Sequence, residues 1–182
     1  KKTKAVICVH IGGWPCDILK LNKFCKKYKI KLIEDCSQAH GAKVNNKYVG
    51  TFGDFGTWSF CNDKIISTGG EGGMITTNSY KSYKKIWSLK DHGKNINKYY
   101  SNKNNTFFRY LHDSFGSNFR LTEMQSAIGN TQLLYVNNRI KIRIRNANRY
   151  IENLKNCRAI IIPVFPINNF FTRWCKAEIS IK

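Results

Sequence analysis

Ala5-Val6-Ile7-Cys8-Val9-His10, Ile11-Gly12-Gly13-Trp14-Pro15, the run from Cys16 to Tyr28, and Ile30-Lys31-Leu32-Ile33-Glu34-Asp35 together specify the first folding unit of the chain. The first segment is a short apolar strand ended by two glycines. Pro15 suits the first turn of a helix, and Ile18, Leu19, Leu21, Phe24 and Cys25 recur at helical spacing. Ile30 to Ile33 is again a continuous apolar strand. Strand, helix and strand within about thirty residues read as a βαβ unit with a parallel pair. In such sheets functional groups gather at the C-terminal strand ends, and Asp35 stands at one of them.

Working outward, Val44 to Val49 reads as a small hairpin with Asn45-Asn46 at its turn, and Phe55 to Phe60 as the next strand. Gly73 to Thr77 is a further strand, and Asn78-Ser79 opens a helix through Leu89. Residues 91–117 lack periodicity and read as a long loop. Leu121 to Gln125 opens a helix running to Gln132 and beyond, Tyr135 to Lys155 reads as a strongly basic helix, and Pro163 and Pro166 break the chain. The fold class expected is α/β.

The 182 residues suffice for a domain with a real core, and 42% hydrophobic content is globular rather than disordered. No apolar run approaches the ~20 residues of a membrane span, and Lys1-Lys2-Thr3-Lys4 precedes too short an apolar stretch for a signal peptide. The seven cysteines include no CxxC and no His/Cys cluster of zinc-like spacing, so no metal is expected. With no signal sequence, this usage favours a reducing cytoplasm. The net charge of +20 raises nucleic acid as a ligand, but the lysines are scattered and no nucleic-acid-reading motif accompanies them. The expectation is no nucleic acid and no membrane. A positive field would attract phosphorylated small molecules.

The chemistry centres on Thr57-Trp58-Ser59-Phe60-Cys61-Asn62-Asp63-Lys64, followed by the glycine-dense Gly69-Gly70-Glu71-Gly72-Gly73. Lys64 alone reads as a surface lysine, and Asp35 alone as an exposed acid. Their flanks alter that reading. Ser59 offers a hydroxyl, and the glycines allow close backbone approach to a phosphate. The lysine precedes the glycines, so this is no Walker A loop, and no GxGxxG opens a helix. An amine for an aldehyde and an acid for a ring nitrogen are what pyridoxal phosphate requires.

Taken together, Glu34-Asp35-Cys36-Ser37-Gln38-Ala39-His40-Gly41-Ala42, Gly53-Asp54, Trp58 through Gly73, and Gly116-Ser117-Asn118-Phe119-Arg120-Leu121 with Gln125 and Ala127 resemble the DegT/DnrJ/StrS family. Order and spacing agree from about Ala5 to Tyr150. The resemblance implies the aspartate-aminotransferase fold, of which this chain would be the central part. That fold has a three-layer α/β/α large domain with a mostly parallel mixed sheet, truncated at both ends here, of which residues 1–155 would be the central part, and a small C-terminal domain that 156–182 would begin. It implies Lys64 as the residue that bonds the cofactor covalently and Asp35 as the partner of the pyridine nitrogen. Gln38 would pack near the ring and its 3-hydroxyl, and Ser59 would be a phosphate-binding hydroxyl. Asn118 would reach the phosphate in the partner subunit of a homodimer with shared active sites. His40 and His92 lie in matching motifs and read as structural.

The implied activity is transfer of an amino group from L-glutamate to a nucleotide-linked keto sugar, in amino-sugar and cell-surface polysaccharide biosynthesis. A rival on the same fold, the pyridoxamine-dependent sugar dehydratase, carries histidine where Lys64 stands. A basic nucleic-acid-binding protein and an inactive fragment are the other readings. The chain also departs from the family. It lacks an N-terminal portion with a Gly-Thr phosphate loop, so as an isolated polypeptide it is expected to be inactive. Ser37 stands where alanine is frequent, and Thr172-Arg173 where many relatives have histidine.

Overall fold

The computed structural model describes residues 2–101, 111–161 and 180–181. It divides into two compact units, Lys1–Thr76 with Glu123–Lys182, and Thr77–Thr122.

In the first unit, strand β1 (Ala5–Val9) runs into a 3-10 turn at Ile11–Gly13, and helix α1 (Ile18–Tyr28) follows. The helix begins two residues later than its apolar spacing suggested, with Pro15 outside its first turn. The reason is local: Asp17 caps it, its side chain accepting the Lys20 N–H at 3.3 Å. Strand β2 (Lys31–Asp35) pairs parallel with β1, Val9 opposite Asp35, completing the βαβ unit. Strands β3 (Lys43–Val44) and β4 (Lys47–Tyr48) form the small hairpin, with Asn45 and Asn46 both in the left-handed region at its turn. Strand β5 (Phe55–Ser59) pairs parallel with β2, and β6 (Gly73–Thr76) pairs antiparallel with β5. The order β1-β2-β5-β6 is a mostly parallel mixed sheet, as expected of this α/β class.

Side-chain alternation divides the sheet into two faces. Cys8 and Leu32 pack with Ile18 and Cys25 of α1 and with Cys36, Ala39, Val44 and Val49 in one core. Gly56 lies on this face because a Cβ there would stand 2.6 Å from both the Gly50 carbonyl and Thr76 Oγ1. The opposite face carries Asp35, Thr57 and Ser59, and leaves Ile7 and Val9 66% and 47% exposed.

In the second unit, α2 (Tyr80–Lys90) starts at an N-cap whose Ser79 hydroxyl accepts the Ser82 N–H. The stretch read as one long loop contains a further helix, α3 (Ile96–Ser101). It was not visible as a helix because its six residues complete fewer than two turns, too few to show a period. Asp91 anchors this unit, bonded to Arg120 and, at 3.1 Å, to the Lys94 ammonium.

Back in the first unit, α4 (Glu123–Leu154) is a single helix of 32 residues, where the sequence suggested two. It packs through Ile140, Val136 and Ile144 against Ile65. Strand β7 (Ile160–Ile161) pairs with β8 (Ser180–Ile181). Pro163, Pro166 and the segment from Phe171 to Lys176 lie outside the described residues, as does most of the expected second domain.

Candidate active site

The hairpin β5–β6 is joined by residues 60–72, and this connection carries Lys64. Backbone bonds from Phe60 N–H to Gly72 and from Thr68 N–H to Phe60 close the loop at its base. Gly69 and Gly70 have φ of 78° and 142°, which only glycine adopts without strain. From α4, the Gln125 side-chain amide donates to the Glu71 carbonyl at 2.8 Å, and Arg139 donates to the Ile65 carbonyl at 3.1 Å. Gly41, with φ of 79°, lies against Ile140 of the same helix. The lysine loop is thus held from below by the sheet and from the side by α4.

Lys64 is 15% exposed, and its ammonium meets Asp63 Oδ1 at 2.9 Å. It lines a pocket together with Ser37, Gln38, His40, Ile65 and Arg143. Gln38 is fixed there by the Gly12 N–H, which donates to its Oε1 at 2.7 Å. Asp35 and Ser59 do not line this pocket. They stand at the C-terminal ends of neighbouring parallel strands, on one face of the sheet. The Asp35 carboxylate accepts the Ser37 N–H at 2.9 Å, and Ser59 Oγ accepts the Cys61 N–H at 3.4 Å. Asn118 belongs to the second unit, where its side chain accepts the Arg120 N–H and its backbone bridges to Asp91. His92, at φ 56° in the same unit, takes the left-handed turn, and its carbonyl accepts from His112 Nδ1 at 2.7 Å.

His40, read from its motif as structural, and Arg143 also line this pocket. His40 is buried, lies 5.4 Å from the Trp58 ring and 6.0 Å from that of Phe60, and among the described residues neither ring nitrogen makes a well-formed hydrogen bond, the Ser59 backbone being its polar neighbour. Burial pushes its imidazole down to about 4, and the charges of Lys64 and Arg143 push the same way, so it is neutral near pH 7. Arg143 lay within the densest basic run of the sequence. Only the helical register of α4 singles it out from its neighbours.

Glu34 explains the motif that precedes Asp35. It is fully buried on the core face and accepts N–H bonds from Gly50, Phe52 and Gly53, each at 2.7 Å, and one from the His10 ring at 3.1 Å. Burial alone would raise its carboxyl, but His10 and the three backbone donors hold it below the ordinary value. Asp54 works likewise from the next turn, accepting from Leu32 N–H and the Lys31 ammonium at 2.9 and 2.6 Å. These two carboxylates tie the 50–54 turn to β2.

A lysine on a glycine-closed hairpin loop, beside an acid-tipped parallel strand, defines the class to which this architecture belongs: the α/β aminotransferases. A solved aminotransferase from Psychrobacter cryohalolentis superposes with a TM-score of 0.91 at 37% identity, over 100% of this chain and 48% of that one. An E. coli GDP-4-keto-6-deoxy-D-mannose-3-dehydratase, solved with bound hydrated PLP, superposes with a TM-score of 0.82 at 28% identity, over 100% of this chain and 48% of its own. Within the class, the model of the DegT/DnrJ/EryC1/StrS aminotransferase family matches residues 1–182, and the chain belongs to that family. A curated relative, the GDP-perosamine synthase of Vibrio cholerae, is 44% identical over 154 residues, which are 85% of this chain and 39% of that protein. The chain therefore spans about two fifths of the curated relative's length and about half of the solved ones. Among the described residues, no helix is long and apolar enough to cross a membrane.

Proposed function

We propose that the chain carries the cofactor-binding core of a pyridoxal-phosphate-dependent aminotransferase. It would transfer an amino group from L-glutamate to a keto sugar linked to a nucleoside diphosphate. Residues 1–155 would be the central part of the large domain and 156–182 the start of the small one. The observation that carries the reading is the position of Lys64: it shares one pocket with Gln38, on a loop springing from the strand next to Asp35. The donor set suits the cofactor, with one lysine amine, one strand-end carboxylate and a hydroxyl on the same sheet face. His40, buried beside the lysine, has no side-chain hydrogen-bond partner for its ring among the described residues.

Pyridoxal phosphate, when bound, supplies an electron sink for breaking the substrate Cα–H bond. Lys64 would hold the cofactor through its amine, and the same amine, when free, would serve as general base and acid for the substrate Cα proton. Asp35 would hold the pyridine nitrogen, Gln38 the ring side of the cofactor, and Ser59 its phosphate. Asn118 would complete the phosphate site of the partner subunit in a homodimer. The name of the Vibrio cholerae relative supports a GDP-linked sugar as the class of acceptor. Such an enzyme would work in the cytoplasm, in amino-sugar and cell-surface polysaccharide biosynthesis. The dehydratase reading is disfavoured by Lys64, because dehydratases of this fold carry histidine there.

Borohydride reduction of the full-length protein loaded with cofactor, followed by digestion, tests the assignment. A phosphopyridoxyl mass is expected on the peptide containing Lys64, and the same mass on another lysine would overturn it. Lys64→Ala should abolish transamination while retaining pyridoxamine phosphate.

A further inference from the structure

The core face of the sheet holds a second group of reactive side chains, outside the Lys64 pocket. Cys8 on β1, His10 just past its end and Cys16 ahead of α1 place their sulfur and nitrogen atoms within 4.8 Å of one another. Cys8 and His10 are two residues apart on an extended chain and so point to the same face. The 3-10 turn, with Gly12 and Gly13 both at positive φ, folds the chain back and returns Cys16 to them. Cys8 and His10 are buried, and Cys16 is half-buried.

The hydrogen bonds fix the state of the imidazole. The Cys16 N–H donates to His10 Nδ1 at 3.2 Å, so Nδ1 presents a lone pair. The ring proton then sits on Nε2 and is donated to Glu34 Oε2 at 3.1 Å. Glu34 is itself immobilised by three backbone N–H groups. An imidazole with one nitrogen tied to a fixed carboxylate and two thiols within 4.8 Å of a ring nitrogen resembles the arrangement proteins give to metal-binding histidines. A purely structural His10–Glu34 pair accounts for the Nε2 bond but gives no reason for two thiols gathered at the ring.

We propose that Cys8, His10 and Cys16 form a site for a thiophilic divalent cation of the zinc type, bound through two thiolates and one imidazole. Metal–sulfur and metal–nitrogen bonds of about 2.3 and 2.0 Å put the ligand atoms of a tetrahedral site roughly 3.5–3.8 Å apart. The three atoms here need close only modestly to reach that spacing. The ion takes the Nδ1 lone pair in place of the long Cys16 N–H bond, and the fourth position faces water on the half-buried Cys16 side. Both thiols lose their protons as the ion binds. The bound ion pins the 10–17 turn, whose Gly12 N–H holds Gln38 in place.

Cobalt(II) added to the reduced, chelator-treated chain tests this. One cobalt per chain is expected, with the visible absorption of a tetrahedral cobalt–thiolate centre, displacement by equimolar zinc and release of about two protons per ion near neutral pH. Cys16→Ser should remove that absorption, while Cys157→Ser, at an exposed thiol, should leave it intact. Glu34→Gln should weaken binding about 10–100-fold through the histidine it orients. Should Cys8→Ser or Glu34→Gln fail to fold, the half-buried Cys16→Ser decides alone. Absence of the absorption at stoichiometric cobalt overturns the proposal, as does its survival in Cys16→Ser. Peroxide joining Cys8 to Cys16 in a reduced chain that takes up no cobalt also overturns it, in favour of a redox pair.

Discussion

Two consecutive acids at the end of β2 point to opposite faces of the sheet, and their neighbours differ accordingly. Glu34 faces inward and is saturated by four donors, while Asp35 faces the side on which Ser59 stands. Asp35 was legible in the sequence because an acid closing an apolar strand must emerge at its C-terminal end. The task of Glu34 was not, because its partners at His10 and in the 50–53 turn are distant in sequence. His40 makes the same point: its motif was visible, but its isolation depends on Trp58, Phe60 and α4 closing around it. It also carries a pH dependence. The unfolded imidazole takes up a proton near pH 6.5, whereas the buried one resists until about 4, so the unfolded chain binds the extra proton between these values. Stability is therefore present above pH 6.5 and lost as the pH falls toward 4, by on the order of 3 kcal/mol. Urea unfolding at pH 7 and pH 4.5 should show this loss, and His40→Phe should flatten it. An unchanged slope in that variant would remove His40 as the cause.

At the scale of elements, β-strands and turns were read closely because each is specified by adjacent residues: Asn45-Asn46 for the hairpin and Ser79 for one helix start, whereas the Asp17 cap of α1 was passed over in favour of Pro15. α4 was divided in two because its apolar stripe is thin, and Gly129-Asn130 and a run of basic residues interrupt the pattern. Its continuity comes from contacts the sequence does not display, with Gln125, Arg139 and Ile140 each engaging the lysine loop or Gly41. Ile140 is the buried centre of that contact. Ile140→Ala should cost about 2–5 kcal/mol, read from denaturant midpoints, because a cavity opens beneath Ile65. The same variant should lower cofactor retention, whereas Leu134→Ala, at an exposed position on the helix, should alter neither.

Across the whole molecule, the net charge of +20 acts on ligands before they touch the site. Capture of pyridoxal phosphate should slow several-fold between low salt and roughly 0.15 M, where the Debye length is about 8 Å, whereas pyridoxal, lacking the phosphate, should show little dependence. Stopped-flow absorbance across a salt series measures both, and equal slopes would rule out steering. The molecular scale also shows what α4 does. Its 32 residues span about 48 Å, and it grips the lysine loop at Gln125, Arg139 and the Arg143 wall of the pocket, nearly five turns apart. The loop's own bonds close it at the base, and the helix splints it along its length. Heat that frays the middle of α4 will release the lysine while the sheet beneath is still intact, and the site will fail before the fold does.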